Sequence, residues 1–184
     1  IAPKATTNTG EFLLALPDGF QYNVIGKAGA AMTDGRATPV LHDGMTAIAS
    51  GTQPNSWILI RNHENASFAG TDGAVSGTPP YDANAAGGTT TLIVDRTTRL
   101  LTSDFVSLSG TVRNCAGGVT PWRTWISCEE TVVGLSNGFA KPHGYCFEVF
   151  ASANNPLTPV PLKAMGRFVH EAIAVDKKSS VIYL

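Results

Sequence analysis

Arg113-Asn-Cys-Ala-Gly-Gly-Val-Thr-Pro-Trp-Arg-Thr-Trp-Ile-Ser-Cys-Glu-Glu-Thr131 gathers two of the chain's three cysteines, two of its three tryptophans and two adjacent carboxylates into nineteen residues. Gly117, Gly118 and Pro121 read as a turn. The residues after Pro121 read as a strand, because Trp122, Thr124, Ile126 and Cys128 alternate with Arg123, Trp125, Ser127 and Glu129 and β-formers dominate. A strand this aromatic is expected to be buried, yet it ends in Cys-Glu-Glu. Buried carboxylates need a compensating partner, and a bound cation is one. The plainer alternative is that Glu129 and Glu130 mark the strand's exit into solvent.

The same grammar recurs along the chain. His42-Asp-Gly-Met-Thr-Ala-Ile48 passes a polar turn into Trp57-Ile-Leu-Ile-Arg-Asn-His-Glu64. Asn114 to Thr120 leads into Thr124 to Glu130, and His170-Glu-Ala-Ile-Ala-Val-Asp176 leads through Lys-Lys-Ser-Ser into Val181-Ile-Tyr-Leu184. Between these units lie other hairpins. Gly87 to Asp95 turns into Leu100 to Val106, and Gly144 to Phe150 turns through Asn154-Asn-Pro into Leu157 to Leu162. Strand pairs repeating every 55–70 residues or so suit the four-stranded blades of a β-propeller. The expected fold is therefore all-β, with two and a half blades at about 42–110, 111–166 and 167–184. An arm and loop over 1–41 precede them, with a short strand at Phe20, Tyr22 and Val24 and with Phe12, Leu13, Leu14 and Leu16 packing onto the next part of the chain. A propeller needs about 4–8 blades to close, so the chain reads as part of something longer. Its start, without Met or a signal peptide, reads as processed or trimmed.

Composition narrows the function. The 184 residues are 43% hydrophobic and 15% charged with net charge −1, which is globular and offers no basic stripe for nucleic acid. No apolar run approaches the roughly 20 residues that span a bilayer. Nineteen Gly and eleven Pro favour strands and tight turns. Three cysteines allow at most one internal disulfide and leave a thiol over, and their spacing is not that of a zinc site. Cys146, in Tyr-Cys-Phe-Glu-Val, reads as core; Cys115 sits among polar and glycine residues.

If inner strands converge on a channel, their polar ends meet there: Asp43, Asn62, His63, Glu64, Cys115, Cys128, Glu129, Glu130, His170 and Glu171. Carboxylates and an amide carbonyl suit calcium, and a thiolate suits iron or zinc. That mixture fits a metal centre better than a Ser-His-Asp triad.

Leu16-Pro-Asp-Gly-Phe, Asp34-Gly-Arg, His42-Asp-Gly-Met, Arg61-Asn-His-Glu, Gly87-Gly-Thr-Thr-Thr, Asn114-Cys-Ala-Gly-Gly, Thr120-Pro-Trp, Cys128-Glu-Glu and Gly166-Arg-Phe-Val-His-Glu, in this order, resemble the PhoX-type alkaline phosphatases. The resemblance implies a six-bladed propeller, monomeric and periplasmic or secreted, which hydrolyses small phosphate esters by metal-assisted phosphoryl transfer. It implies ferric iron and calcium in the channel. By motif match the metal ligands are Cys115, with Cys128 as rival, then Glu130 and Glu171, with Glu129 and Glu64 less closely matched. Phosphate-clamping arginines and a further His-Glu unit are expected beyond Leu184, so the chain alone is expected to be inactive. Arg123 departs from the family pattern, which has Gly after Pro-Trp. Two rival readings are a calcium-only propeller hydrolase, lactonase- or phytase-like, and a non-catalytic secreted or surface scaffold that binds calcium.

Overall fold

Antiparallel hairpins build the chain from end to end. The computed structural model describes residues 1–151, 154 and 157–184, and among them there is no α-helix. Strands β1 (Ala2–Ala5) and β2 (Phe12–Leu16) form an N-terminal hairpin. Strands β3 (His42–Ala49), β4 (Ser56–His63), β5 (Gly87–Asp95) and β6 (Leu101–Thr111) form a four-stranded sheet in chain order. A second sheet holds β7 (Asn114–Val119), β8 (Thr124–Glu129) and β9 (Cys146–Phe150). The hairpin of β10 (Ala174–Asp176) and β11 (Val181–Tyr183) comes last.

Period-two alternation decides what each sheet faces. On β8 and β9, Trp125, Phe147 and Val149 point to the first sheet and pack with Ile48, Ile58, Ile60 and Leu108. The opposite face of the same strands carries Ile126, Cys128 and Cys146, which pack with Ile173 and against Val175 and Ile182 of the last hairpin. The second sheet is thus sandwiched between its neighbours, each interface built on an apolar layer. Burying one such side chain contributes about 1.5–3 kcal/mol, so these layers outweigh any single polar contact in holding the sheets side by side.

Several local expectations are corrected. Gly117 and Gly118 lie inside β7, not in a turn; the turn falls at residues 120–123. They are glycine because of crowding: a Cβ on Gly117 would stand 1.9 Å from the Ile126 carbonyl oxygen, and one on Gly118 2.3 Å from that of Ile173. Phe20, Tyr22 and Val24 form no strand. The Asn8 side chain takes both backbone groups of Val24, and the Tyr22 hydroxyl accepts from the Leu13 and Leu14 amides and donates to the Lys4 carbonyl. The arm is a hairpin, and its Phe12, Leu13 and Leu14 stay exposed. Leu157 to Leu162 is no full strand: Pro159 and Pro161 lack the N–H a ladder needs, and the segment is held by a bridge from Phe147 to Pro161 and by bonds from the Leu162 amide to the Cys146 carbonyl and the Leu157 amide to the Ser107 carbonyl. The turn expected at Asn154-Asn-Pro lies, apart from Asn154, outside the described residues.

Candidate metal centre

The ladders of β3 with β4 and of β7 with β8 slip at corresponding places. Register shifts between His42 and Met45, leaving Asp43 and Gly44 unpaired, and between Asn114 and Gly117, leaving Cys115 and Ala116 unpaired. Such bulges re-aim side chains at the ends of strands. The two bulges lie against each other: a Cβ on Gly44 would stand 2.7 Å from the Ala116 Cα and 2.8 Å from the Cys115 carbonyl oxygen. On the far side, the Ala116 amide donates to the Glu171 carbonyl at 3.2 Å. Three successive chain segments therefore run side by side here, backbone against backbone.

This packing gathers one thiol and two carboxylates. Ligand atoms of Asp43, Glu64 and Cys115 all lie within 4.8 Å of one another. Asp43 is exposed and the other two are half-buried, so the cluster opens to solvent. Burial, a hydrogen bond from the thiol to the Asp43 carboxylate and the charges of Asp43, Glu130 and Glu64 push the Cys115 thiol up to about 12. A nearby cation would reverse that balance, since a coordinated thiol is deprotonated.

Arg113 organises the rim, although no motif in the sequence marks it. Its backbone, at φ 56°, donates to the Asn65 carbonyl at 3.0 Å and accepts the Glu130 amide at 2.9 Å. Its Nε faces Glu64 Oε1 at 3.2 Å and Glu130 Oε2 at 3.5 Å. With the guanidinium about half exposed, each ion pair contributes at most about 1 kcal/mol. Their role is to align the two carboxylates. The signal in the sequence was adjacency alone, an arginine two residues before the cysteine.

Other residues singled out from the sequence go elsewhere. Glu129, expected among the metal ligands, lies outside that cluster: its carboxylate is fully buried and hydrogen-bonded on both oxygens. It accepts from the amides of Val112 (2.8 Å), Gly144 (2.7 Å) and Tyr145 (3.1 Å) and faces His143 Nδ1 at 2.7 Å. His143 in turn reaches buried Asp82 at 3.3 Å. Asp82, on the loop before β5, and His143, on the loop before β9, carried no local motif. Cys128 is buried in the layer facing the last hairpin, against Cys146. Asn62 is a buried clamp: Oδ1 accepts from Trp125 Nε1 and Ser127 Oγ, both at 2.9 Å, and Nδ2 donates to the Cys115 and Ala116 carbonyls. His63 is buried between the Val40 carbonyl and Thr90 Oγ1, and desolvation takes its pKa down to about 3. His170 is buried against Phe168. Glu171 is exposed, beside the cluster through its backbone. At the other end of the strands, Arg123 donates from Nη2 to the Ala49 carbonyl and joins the turns of the two sheets.

A family model described as alkaline phosphatase PhoX matches residues 3–105 and 97–184. The chain belongs to the PhoX family. Among solved structures it is similar to Pseudomonas fluorescens PhoX in complex with vanadate, a transition state analogue, with 18% identity and a TM-score of 0.57. That match covers 96% of this chain and 46% of the other, so the chain spans about half the length of its structural relative. The likeness is one of fold, and the stacked sheets are blades of a β-propeller. A search of curated proteins finds no match. No helix among the described residues is long and apolar enough to cross a membrane.

Proposed function

We propose that the protein containing this PhoX-family chain is a metal-dependent phosphomonoesterase acting on small phosphate esters. One observation carries the reading: two blades bring a thiol and two carboxylates within 4.8 Å, at bulges that face each other. The donor chemistry fits the group the family implies, since carboxylate oxygens suit calcium and a thiolate suits iron. Cys115, Asp43 and Glu64 would hold metal, with Glu130 and Glu171 at the edge of the same opening. Bound ferric iron and calcium would supply the positive charge that neutralises phosphoryl oxygens during in-line displacement.

This chain's own residues supply the frame. Asn62 holds the Cys115 strand, Glu129 holds the Val112 turn, and Arg113 aligns Glu64 with Glu130. The half-exposed Arg113 guanidinium, beside Glu64 of the cluster, also offers a planar fork that suits a phosphate. The same reading carries an exported, periplasmic or secreted monomer, checked by cell fractionation and sedimentation.

The test is metal analysis and hydrolysis of p-nitrophenyl phosphate by the full-length protein and its Cys115→Ser variant. The native protein is expected to carry iron and calcium and to turn over the ester; the variant should fold, lose iron and lose turnover. Calcium without iron in an active hydrolase would favour a calcium-only enzyme, and calcium without turnover a scaffold.

A further inference from the structure

Cys128 and Cys146 stand directly opposite each other on β8 and β9. Their sulfurs are 3.5 Å apart and both residues are fully buried. Hydrogen bonding fixes which kind of pair they form. The neighbouring Glu129 amide donates to the Tyr145 carbonyl, whereas the Cys146 carbonyl points away from β8 and accepts from Leu162. Cys128 and Cys146 are therefore a non-hydrogen-bonded pair, the kind that brings opposed side chains closest. At such sites the Cα separation, about 4.5 Å, falls within the range that a disulfide spans.

We propose that Cys128 and Cys146 are a disulfide site, oxidised by exchange with a small-molecule or protein disulfide while the strands are still accessible. The two thiols give up two protons and two electrons, one Sγ–Sγ bond forms, and the oxidant's disulfide is reduced to two thiols. The bond ties the last residue before Glu129 to the strand that comes after Tyr145. It closes the loop that carries Glu130 and His143 and restricts the unfolded chain. It also removes both core thiols from competition, leaving Cys115 as the chain's single free thiol. The pairing stands on the strand register and does not depend on the phosphatase reading.

The experiment uses the full-length protein, reduced and unfolded, then refolded in a mixture of reduced and oxidised glutathione. Free thiols are alkylated under denaturing conditions and the protein is digested without reduction. The expected product is one cross-linked peptide pair joining Cys128 to Cys146, with Cys115 carrying the label. Labelling of all three cysteines would overturn the proposal. So would a bond to Cys115, or glutathione retained on Cys128 or Cys146.

Discussion

Asn62 on β4 donates to the carbonyl oxygen of Cys115 on β7 at 3.1 Å, so the first blade grips the second at the residue that supplies its thiol. The same amide also serves half-buried Ala116 and buried Trp125 and Ser127. Asn62→Ala takes a partner from four polar groups, of which Ser127 Oγ keeps Asn114 Nδ2, and unsatisfied buried groups cost about 1–3 kcal/mol each where water cannot enter. A loss of about 3 kcal/mol or more is expected in urea unfolding of the full-length protein. An unchanged midpoint would mean that the blades are held without this clamp.

Adjacent glutamates should fail differently. Glu129→Gln places an NH2 group among three backbone N–H donors, so it should lower the unfolding midpoint sharply. Glu130→Gln touches only a partly exposed carboxylate beside Arg113 and should leave the midpoint nearly unchanged while reducing bound metal. Unfolding curves and metal stoichiometry, measured on both variants, decide it. Equal thermodynamic cost for the two would refute the division of roles.

Gly117→Ala should be among the most disruptive small changes in the chain. The new methyl would stand 1.9 Å from a backbone oxygen that belongs to the partner strand. No side chain can swing aside, so β7 and β8 must part. The expected cost is about 3 kcal/mol, the upper part of the usual overpacking range. Gly10→Ala meets nothing within 4 Å and serves as the control for its remaining, backbone-only penalty at φ 75°. Thermal unfolding of the two variants should separate them clearly.

Arg113→Gln should leave the fold intact, because its ion pairs are solvent-exposed and weak. It should raise KM for a phosphate ester and weaken inhibition by inorganic phosphate in the metal-loaded full-length protein. Unaltered inhibition would confine Arg113 to aligning Glu64 and Glu130.

The alternation of Trp125, Ser127 and Glu129 with Ile126 and Cys128 was legible because the strand period is local; which neighbour each face packs on comes from the structure. Strand ends with Asp43, Glu64 and Cys115 were legible for the same reason. What those ends do was not, because it depends on which blade lies beside which. Asp43 was gathered with the polar strand ends but not ranked as a ligand, since nothing in His-Asp-Gly announces a bulge. Glu129 looked like a ligand because its saturation comes from Val112 and from residues 143–145, far along the chain. Glycines at 117 and 118 looked like a turn, because flexibility and crowding select the same residue.

At Gly44 there is no room for a methyl group against the Cα of Ala116, so the two bulges meet main chain to main chain. Asp43 and Cys115 ride on the two sides of that seam. Their separation is then a measure of the angle between blades, as much as of either side chain. A blade that leaned outward would stretch the donor set as surely as a substitution would shorten it. If the cluster holds metal as proposed, its affinity is also a gauge of how the two blades are set against each other.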